Sequence, residues 1–197
     1  NDGAQVIEPH DTGIIDQVNS VDTVKTISKE DALASGKLIM IDKEVDEKYW
    51  EMCKAQLFRP DVIKEKASEA KIVYTPLHGT GAMHVEKVLG DLGLKVITVP
   101  EQREPDGNFP TVDYPNPEDK NAFKMALDLA KEKDADLVLA TDPDADRLGI
   151  YSKDDKTGEY MEYTGNMSGL LIADYRISQM KEKGILPENG MIVTTIV

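Results

Sequence analysis

Leu137-Val138-Leu139-Ala140-Thr141-Asp142-Pro143-Asp144-Ala145-Asp146-Arg147 joins a short, continuously apolar run to three alternating aspartates. A strand that is apolar throughout, rather than alternating, belongs to a sheet covered on both faces. The acidic loop then leaves the carboxyl end of that strand, where open α/β sheets place their ligands. In extended chain, alternate side chains point the same way. Asp142, Asp144 and Asp146 are therefore expected to converge. Close carboxylates repel unless a cation offsets them. An all-oxygen set, with no His or Cys, selects Mg²⁺, Mn²⁺ or Ca²⁺ over zinc. An EF-hand is excluded by spacing. With Asp142 as position one, the sixth residue is Arg147 where Gly is required, and the twelfth is Lys153 where Glu is required. Arg147 reads either as the ion-pair partner of the cluster or as a cation aimed at a phosphate that bridges to the metal.

Working outward, strand and helix signals alternate from Lys71 onward. Ile72 to Thr75 reads as a strand and Pro76 to Gly81 as a loop. Ala82, Val85, Val88, Leu89 and Leu92 form a helical stripe that Gly93 ends. Leu94 to Val99 reads as a second strand. Asn116-Pro117-Glu118-Asp119 has the form of a helix start, with an Asn cap and Pro at the first position. Leu148 to Tyr151 reads as a fourth strand, Thr164 to Lys183 as a long helix ended by Gly184, and Met191 to Val197 as a last strand. Strands alternating with helices imply right-handed βαβ units. The expected fold class is α/β: a three-layer α/β/α domain with a mostly parallel sheet, preceded by a helical N-terminal region. In that region the spacing predicts helices over Asp11–Thr26, Glu44–Leu57 and Asp61–Ala70, with Asp11 or Thr12 as a cap. Lys37 to Ile41 reads as a short strand.

Thr75-Pro76-Leu77-His78-Gly79-Thr80-Gly81 follows a strand and precedes a helix, so its amides are placed to face an anion. Gly79 and Gly81 begin a dinucleotide fingerprint, but His84 stands where the third glycine is needed, and no Lys follows as in a P-loop. His78 reads either as a satisfied loop histidine or as an active-site group; His84, on the helix, reads as structural or exposed. Arg103 to Pro110 is rich in turn formers and reads as a lid, an interface or a plain crossover loop.

The chain has 197 residues, with 37 acidic against 23 basic side chains and a formal net charge of −14. That acidity argues against a nucleic-acid or anionic-membrane partner. No apolar run approaches the ~20 residues that span a bilayer, and no signal-peptide pattern opens the sequence. The single cysteine, Cys53, has no partner for an internal disulfide, so a reducing cytoplasm is the expected location. Cys53 falls in a helical stretch and reads as a small buried hydrophobe rather than a nucleophile. The sequence starts at Asn1 without Met and stops inside an apolar run, and the expectation is a piece of a longer protein.

The motifs together resemble the α-D-phosphohexomutase family (phosphoglucomutase/phosphomannomutase), most of all its long bacterial phosphoglucomutase type. The matching stretches are Gly3 to Asp11, Thr75 to Gly81, Asn108 to Thr111 with Pro115 to Glu118, Ala140 to Gly149, Thr164 to Asn166, and Thr195 to Val197. The resemblance implies a division into the tail of a first domain (1–30), a helical lead-in (31–70), the second domain (71–190, metal loop 142–147) and the start of a third (191–197). It implies a mutase that interconverts sugar 1-phosphate and 6-phosphate through a phosphoserine and a bisphosphate intermediate. Mg²⁺ would be held by Asp142, Asp144 and Asp146. Arg147 would be catalytic, positioning the phosphoserine region or its acidic neighbours. His78 is the one candidate substrate-binding residue. Glucose 1,6-bisphosphate would activate the full-length enzyme. The implied partners are a sugar phosphate and the remaining mutase domains.

The family's phosphoserine lies in a Ser-His-Asn loop, and none of Ser20, Ser28, Ser35, Ser68, Ser152, Ser168 or Ser178 is followed by His-Asn. The Gly-Glu-x-Ser-Gly sugar loop is missing as well. This chain alone is therefore expected to be inactive and to bind Mg²⁺ weakly. The rival readings are a Mg²⁺-dependent phosphatase with Asp142 as nucleophile, a nucleotide-sugar transferase with a DxD metal site, and a non-catalytic metal-binding domain.

Overall fold

The structure, a computed structural model, describes residues 3–194. It divides into two units, one up to Val45 and one from Asp46 onward. The first holds α1 (His10–Asn19) and α2 (Lys29–Ala34). Ser28 caps α2 by accepting the Asp31 N–H. Ala32 is its only buried residue among those described, and Ile14, Ile15 and Val18 of α1 are exposed. α1 ends earlier than its apolar spacing suggests, and Pro9 precedes it with no side-chain cap, so neither Asp11 nor Thr12 has that role. Lys37 to Ile41 is not a strand. Its residues are exposed, and an apolar run without a neighbouring strand has no ladder to join.

α3 (Lys43–Ala55) crosses the division between the units, and α4 (Pro60–Lys66) follows it. Then come β1 (Lys71–Thr75), α5 (Ala82–Asp91), β2 (Lys95–Thr98) and the one-turn α6 (Pro100–Arg103). A 3₁₀ turn (Lys120–Phe123) leads into α7 (Lys124–Lys133), and β3 (Leu137–Thr141), β4 (Leu148–Lys153), β5 (Tyr160–Tyr163) and α8 (Gly165–Glu182) complete the order.

The five strands form one sheet in the order β2-β1-β3-β4-β5. β1 pairs in parallel with β2 and β3, whereas β3–β4 and β4–β5 are antiparallel. The α/β fold class holds, but the sheet is mixed rather than mostly parallel. The reason lies in the connections. A parallel neighbour needs a crossover of a dozen or more residues, and only six residues separate β3 from β4. Helices cover both faces. Val73, Val138, Ala140 and Tyr151 pack with Ala122, Phe123, Ala126 and Ala130 of the 3₁₀ turn and α7. The alternate residues Tyr74 and Leu139 face the other way, toward Val85 and Val88 of α5 and Tyr49 of α3. Gly149 is required where β4 passes Phe123: a Cβ there would lie 2.6 Å from the ring.

The expected helix start at Asn116 is displaced. Asn116 is buried and its side chain accepts the Glu118 N–H, while Asp119 caps the 3₁₀ turn by accepting from Asn121. Residues 191–194 are irregular, and the remainder of the expected last strand lies outside the described residues.

Candidate metal centre

The acidic loop is the tip of the β3–β4 hairpin, closed at its base by the pairing of Thr141 with Leu148. Ala145 donates its N–H to the Asp142 carbonyl at 3.0 Å and adopts a positive φ of 61°. That is a strained conformation for a residue with a Cβ, of the kind held only where surrounding contacts demand it. The loop brings one carboxylate oxygen from each of Asp142, Asp144 and Asp146 to within 4.8 Å of one another. Asp142 is fully buried, and the other two are exposed.

Arg147 acts on Asp142 twice. Its backbone N–H donates to Oδ1 at 2.9 Å and its Nε to Oδ2 at 2.7 Å. Burial alone would raise the Asp142 carboxyl, but these two donors outweigh it and hold the group below the usual carboxylate range. The charge of Asp144, followed by Asp142, raises Asp146 above its ordinary value. One acid is thus fixed as an anion and another is crowded by like charge, an arrangement that a divalent cation relieves. The donor chemistry fits Mg²⁺: hard oxygens only, two on exposed side chains able to turn. A Mg–oxygen distance of about 2.1 Å puts two ligand oxygens roughly 3–4 Å apart, so the spread of up to 4.8 Å has to close somewhat, which the exposed Asp144 and Asp146 side chains can do by turning. The two Arg147 contacts leave lone pairs on each Asp142 oxygen, since an ionised carboxylate offers about four acceptor sites.

The Thr75–Gly81 loop lies against this tip. Thr80 donates both its N–H, at 2.9 Å, and its hydroxyl, at 3.1 Å, to the Pro143 carbonyl. Gly79 faces the same proline, and a Cβ on it would sit 2.3 Å from Pro143 Cα. Its φ is not positive, so this glycine serves close approach of two backbones rather than turn geometry. Leu77 and His78 supply the turn, with φ of 48° and 62° and the Gly79 N–H returning to the Pro76 carbonyl at 2.8 Å. Two positive φ values in succession mark a type I′ turn.

The expectation that the amides of this loop face an anion is not met for four of them. Leu77 N–H goes to Thr75 Oγ1, His78 N–H to the Gln102 carbonyl, Gly79 N–H to Pro76 and Thr80 N–H to Pro143. His78 is buried, and its Nε2 shares a hydrogen bond with Thr111 Oγ1 at 2.8 Å. Its carbonyl accepts from Asp106. Gln102, 1 % exposed, bridges Thr75 Oγ1 at 2.7 Å and Thr111 Oγ1 at 3.0 Å. The structure therefore places the His78 side chain, itself buried, in a hydrogen-bond network with Thr111. His84 accepts from Trp50 Nε1 at 3.0 Å and joins α5 to α3.

An apolar cleft of about 340 Å³ opens on the α3/α5 side of the tip, lined by Tyr49, Cys53, Tyr74 and Asp146. Cys53 is half-buried. Burial pushes the Tyr74 phenol up to about 12, against the opposing effect of its 2.8 Å hydrogen bond with Thr141. The residues that sequence spacing missed are Thr80, Gln102 and Thr111. Their roles arise from contacts across distant loops, for which the Thr75–Gly81 motif was the only available sign.

Comparison with known proteins bears on the same region. Residues 47–158 match the family model described as phosphoglucomutase/phosphomannomutase, alpha/beta/alpha domain II. The chain is 37% identical over 195 residues to a phosphoribomutase of Saccharomyces cerevisiae, covering 92% of this chain and 31% of that protein. It is 36% identical over 184 residues to a phosphoglucomutase of Staphylococcus saprophyticus (91% and 32%) and 35% identical over 204 residues to a human phosphopentomutase (100% and 33%). The chain spans about a third of the length of these curated relatives. The matched residues include strands β1 to β4, the acidic hairpin tip and the loop that grips it, and the chain belongs to the phosphoglucomutase/phosphomannomutase family through its α/β/α domain II.

Proposed function

We propose that this chain is the Mg²⁺-binding second domain of a sugar-phosphate mutase. The observation that carries the reading is the convergence of three carboxylates at a hairpin tip, one of them buried and held ionised by Arg147. Asp142, Asp144 and Asp146 would hold the ion, which offsets the charge that develops on a transferred phosphoryl group. Asp142 is the anchored member, because Arg147 fixes both of its oxygens. The Arg147 side chain is still 48 % exposed, so it can position Asp142 and present a guanidinium edge to a phosphate in the completed active site. In the full-length enzyme the phosphoryl group would pass from a phosphoserine to the sugar phosphate and return from a bisphosphate, with glucose 1,6-bisphosphate as activator.

The remaining mutase domains are proposed as the partners of this one. α8 supports this: Leu170 (72 % exposed), Leu171, Ile172 and Tyr175 present an apolar surface of the kind that marks an interface. We place the protein in the cytoplasm, and no helix among the described residues is long and apolar enough to cross a membrane. A glucose phosphate is the proposed substrate. A pentose phosphate is the second reading, favoured by the phosphoribomutase and phosphopentomutase names of two relatives. The chain alone is proposed to lack turnover, because no serine in it precedes His-Asn.

The test is an assay of the complete reading frame for Mg²⁺-dependent conversion of glucose 1-phosphate to glucose 6-phosphate and of ribose 1-phosphate to ribose 5-phosphate, beside Asp144→Asn. Isomerisation that collapses in the variant is expected. Phosphate release without isomerisation would replace the mutase with a phosphatase, and turnover by the 197-residue chain alone would refute its inactivity.

A further inference from the structure

We propose that the Thr75–Gly81 loop is a brace that sets the shape of the acidic tip, with Thr80 as its positioning residue. The inference rests on the metal reading above.

Pro143 lies between two of the three acids, so the orientation of its carbonyl fixes the direction in which the chain continues to Asp144. Thr80 fixes that carbonyl with two donors, from 63 residues away in the sequence. Gly79 lets the two backbones close to a distance that no side chain would permit. A single hydrogen bond leaves a carbonyl able to swing about it, whereas two donors on one oxygen, with backbone packed beneath, hold the peptide in one orientation.

The brace has its own support. The consecutive positive φ values of Leu77 and His78 are costly for residues with side chains, and they persist because the loop is tied down behind. His78 is held at its N–H, its carbonyl and its ring, by Gln102, Asp106 and Thr111 respectively. Gln102, itself buried, ties the buried Thr75 to Thr111 at the surface. A continuous set of contacts therefore runs from the 102–111 segment through His78 to Thr80 and on to Pro143. The tip it reaches carries three carboxylates that repel one another, and such a loop spreads unless it is held. Holding it before the cation arrives lowers the ordering cost at binding, which is the advantage of a preorganised site. This also accounts for the loop's amides, which are turned inward on the protein instead of outward to an anion.

Thr80 is exposed, so its hydroxyl can be removed with little effect on folding. The experiment uses this 197-residue chain with Thr80→Val and Thr80→Ser, and Mn²⁺ as the probe. Hydrogen exchange at the 144–147 amides and Mn²⁺ affinity from paramagnetic broadening are measured on each. Thr80→Val is expected to speed exchange at the tip while leaving β1 and α7 unchanged. It should weaken Mn²⁺ binding by about fivefold, the effect of one net hydrogen bond. Thr80→Ser, which keeps the donor, should restore both. A general loosening of the molecule would mean a merely structural role. Unchanged exchange in Thr80→Val, or faster exchange with unchanged Mn²⁺ affinity, would overturn the proposal. Because this chain alone is expected to bind the cation weakly, the titration extends to millimolar Mn²⁺; absence of any site-specific broadening at the tip of the unsubstituted chain at that concentration would remove the metal reading and the positioning role with it, and the exchange data would still show whether the grip exists.

Discussion

Replacing Gly79 by alanine introduces a single methyl group where the neighbouring atoms are all backbone: Pro143 Cα at 2.3 Å, its carbonyl oxygen at 2.5 Å and its carbonyl carbon at 2.7 Å. No rotamer relieves contacts of this kind. The two loops must separate by about 1 Å to reach ordinary van der Waals distance, and that displacement also stretches both Thr80 hydrogen bonds to Pro143. Overpacking of a tight site costs about 1–3 kcal/mol, and each weakened hydrogen bond adds up to about 1 kcal/mol. The sum is about 3 kcal/mol. For a chain of this size each kcal/mol lowers Tm by about 2–4 °C, so Gly79→Ala is expected to melt roughly 6–12 °C below the unsubstituted protein. Gly90→Ala is the matched control. Gly90 lies inside α5 with nothing within 4 Å of its Cβ position, and alanine there should stabilise by up to about 1 kcal/mol. Thermal melts followed by circular dichroism test both. If Gly79→Ala melts together with the unsubstituted chain, the two loops are not in backbone contact and the account of the tip is wrong.

Two further predictions concern the layers behind the tip. Gln102→Leu keeps the volume but leaves the buried Thr75 hydroxyl without its acceptor and removes the donor to the exposed Thr111; a loss of roughly 2 kcal/mol is expected in urea unfolding, mostly from the buried Thr75 group, and a loss under about 0.5 kcal/mol would show the network to be dispensable. Glu86 supplies a pH signature: burial raises it, but hydrogen bonds from Arg103 and Thr98 outweigh burial and hold it below the ordinary value. A carboxylate lowered in the folded state stabilises above its unfolded pKa, near 4.3, and loses that contribution as pH falls through the folded value. Glu86→Gln should therefore flatten the fall of stability below about pH 4.3, read as urea midpoints across pH 3–6, and an unchanged acid limb would refute the pairing.

The parts of the fold legible in the sequence were those whose signal is local. Leu137 to Ala140 announced a buried strand, and the aspartates after it announced their own convergence. Gly93 and Gly184 marked helix ends, and both adopt the positive φ that makes glycine suitable there. What escaped was set by neighbours. β5 reads Tyr160-Met161-Glu162-Tyr163, half-polar and short, and becomes a strand only because β4 offers it an edge. Lys37 to Ile41 has the better strand composition and no partner among the described strands, so it forms none. Asn116 and Pro117 carry the marks of a helix start, but the buried position of Asn116 commits its side chain to a turn. At the site, alternation revealed the three acids, whereas the roles of Thr80, Gln102 and His78 depend on loops up to 63 residues apart.

Because the acidic tip closes a hairpin, it also bears on the order in which the molecule assembles. Asp142, Asp144 and Asp146 are gathered by pairs close in sequence, Thr141 with Leu148 and Ala140 with Gly149. Short loops close at small entropic cost, and hairpins form within about 1–10 μs. The pairing of Ile72 with Leu137, and the reach of Thr80 to Pro143, bridge more than sixty residues. Contacts of that span form later, after a larger loss of chain freedom. The three acids are thus expected to meet on the time scale of a local hairpin, so that the folding chain carries its acidic cluster before the sheet around it is complete.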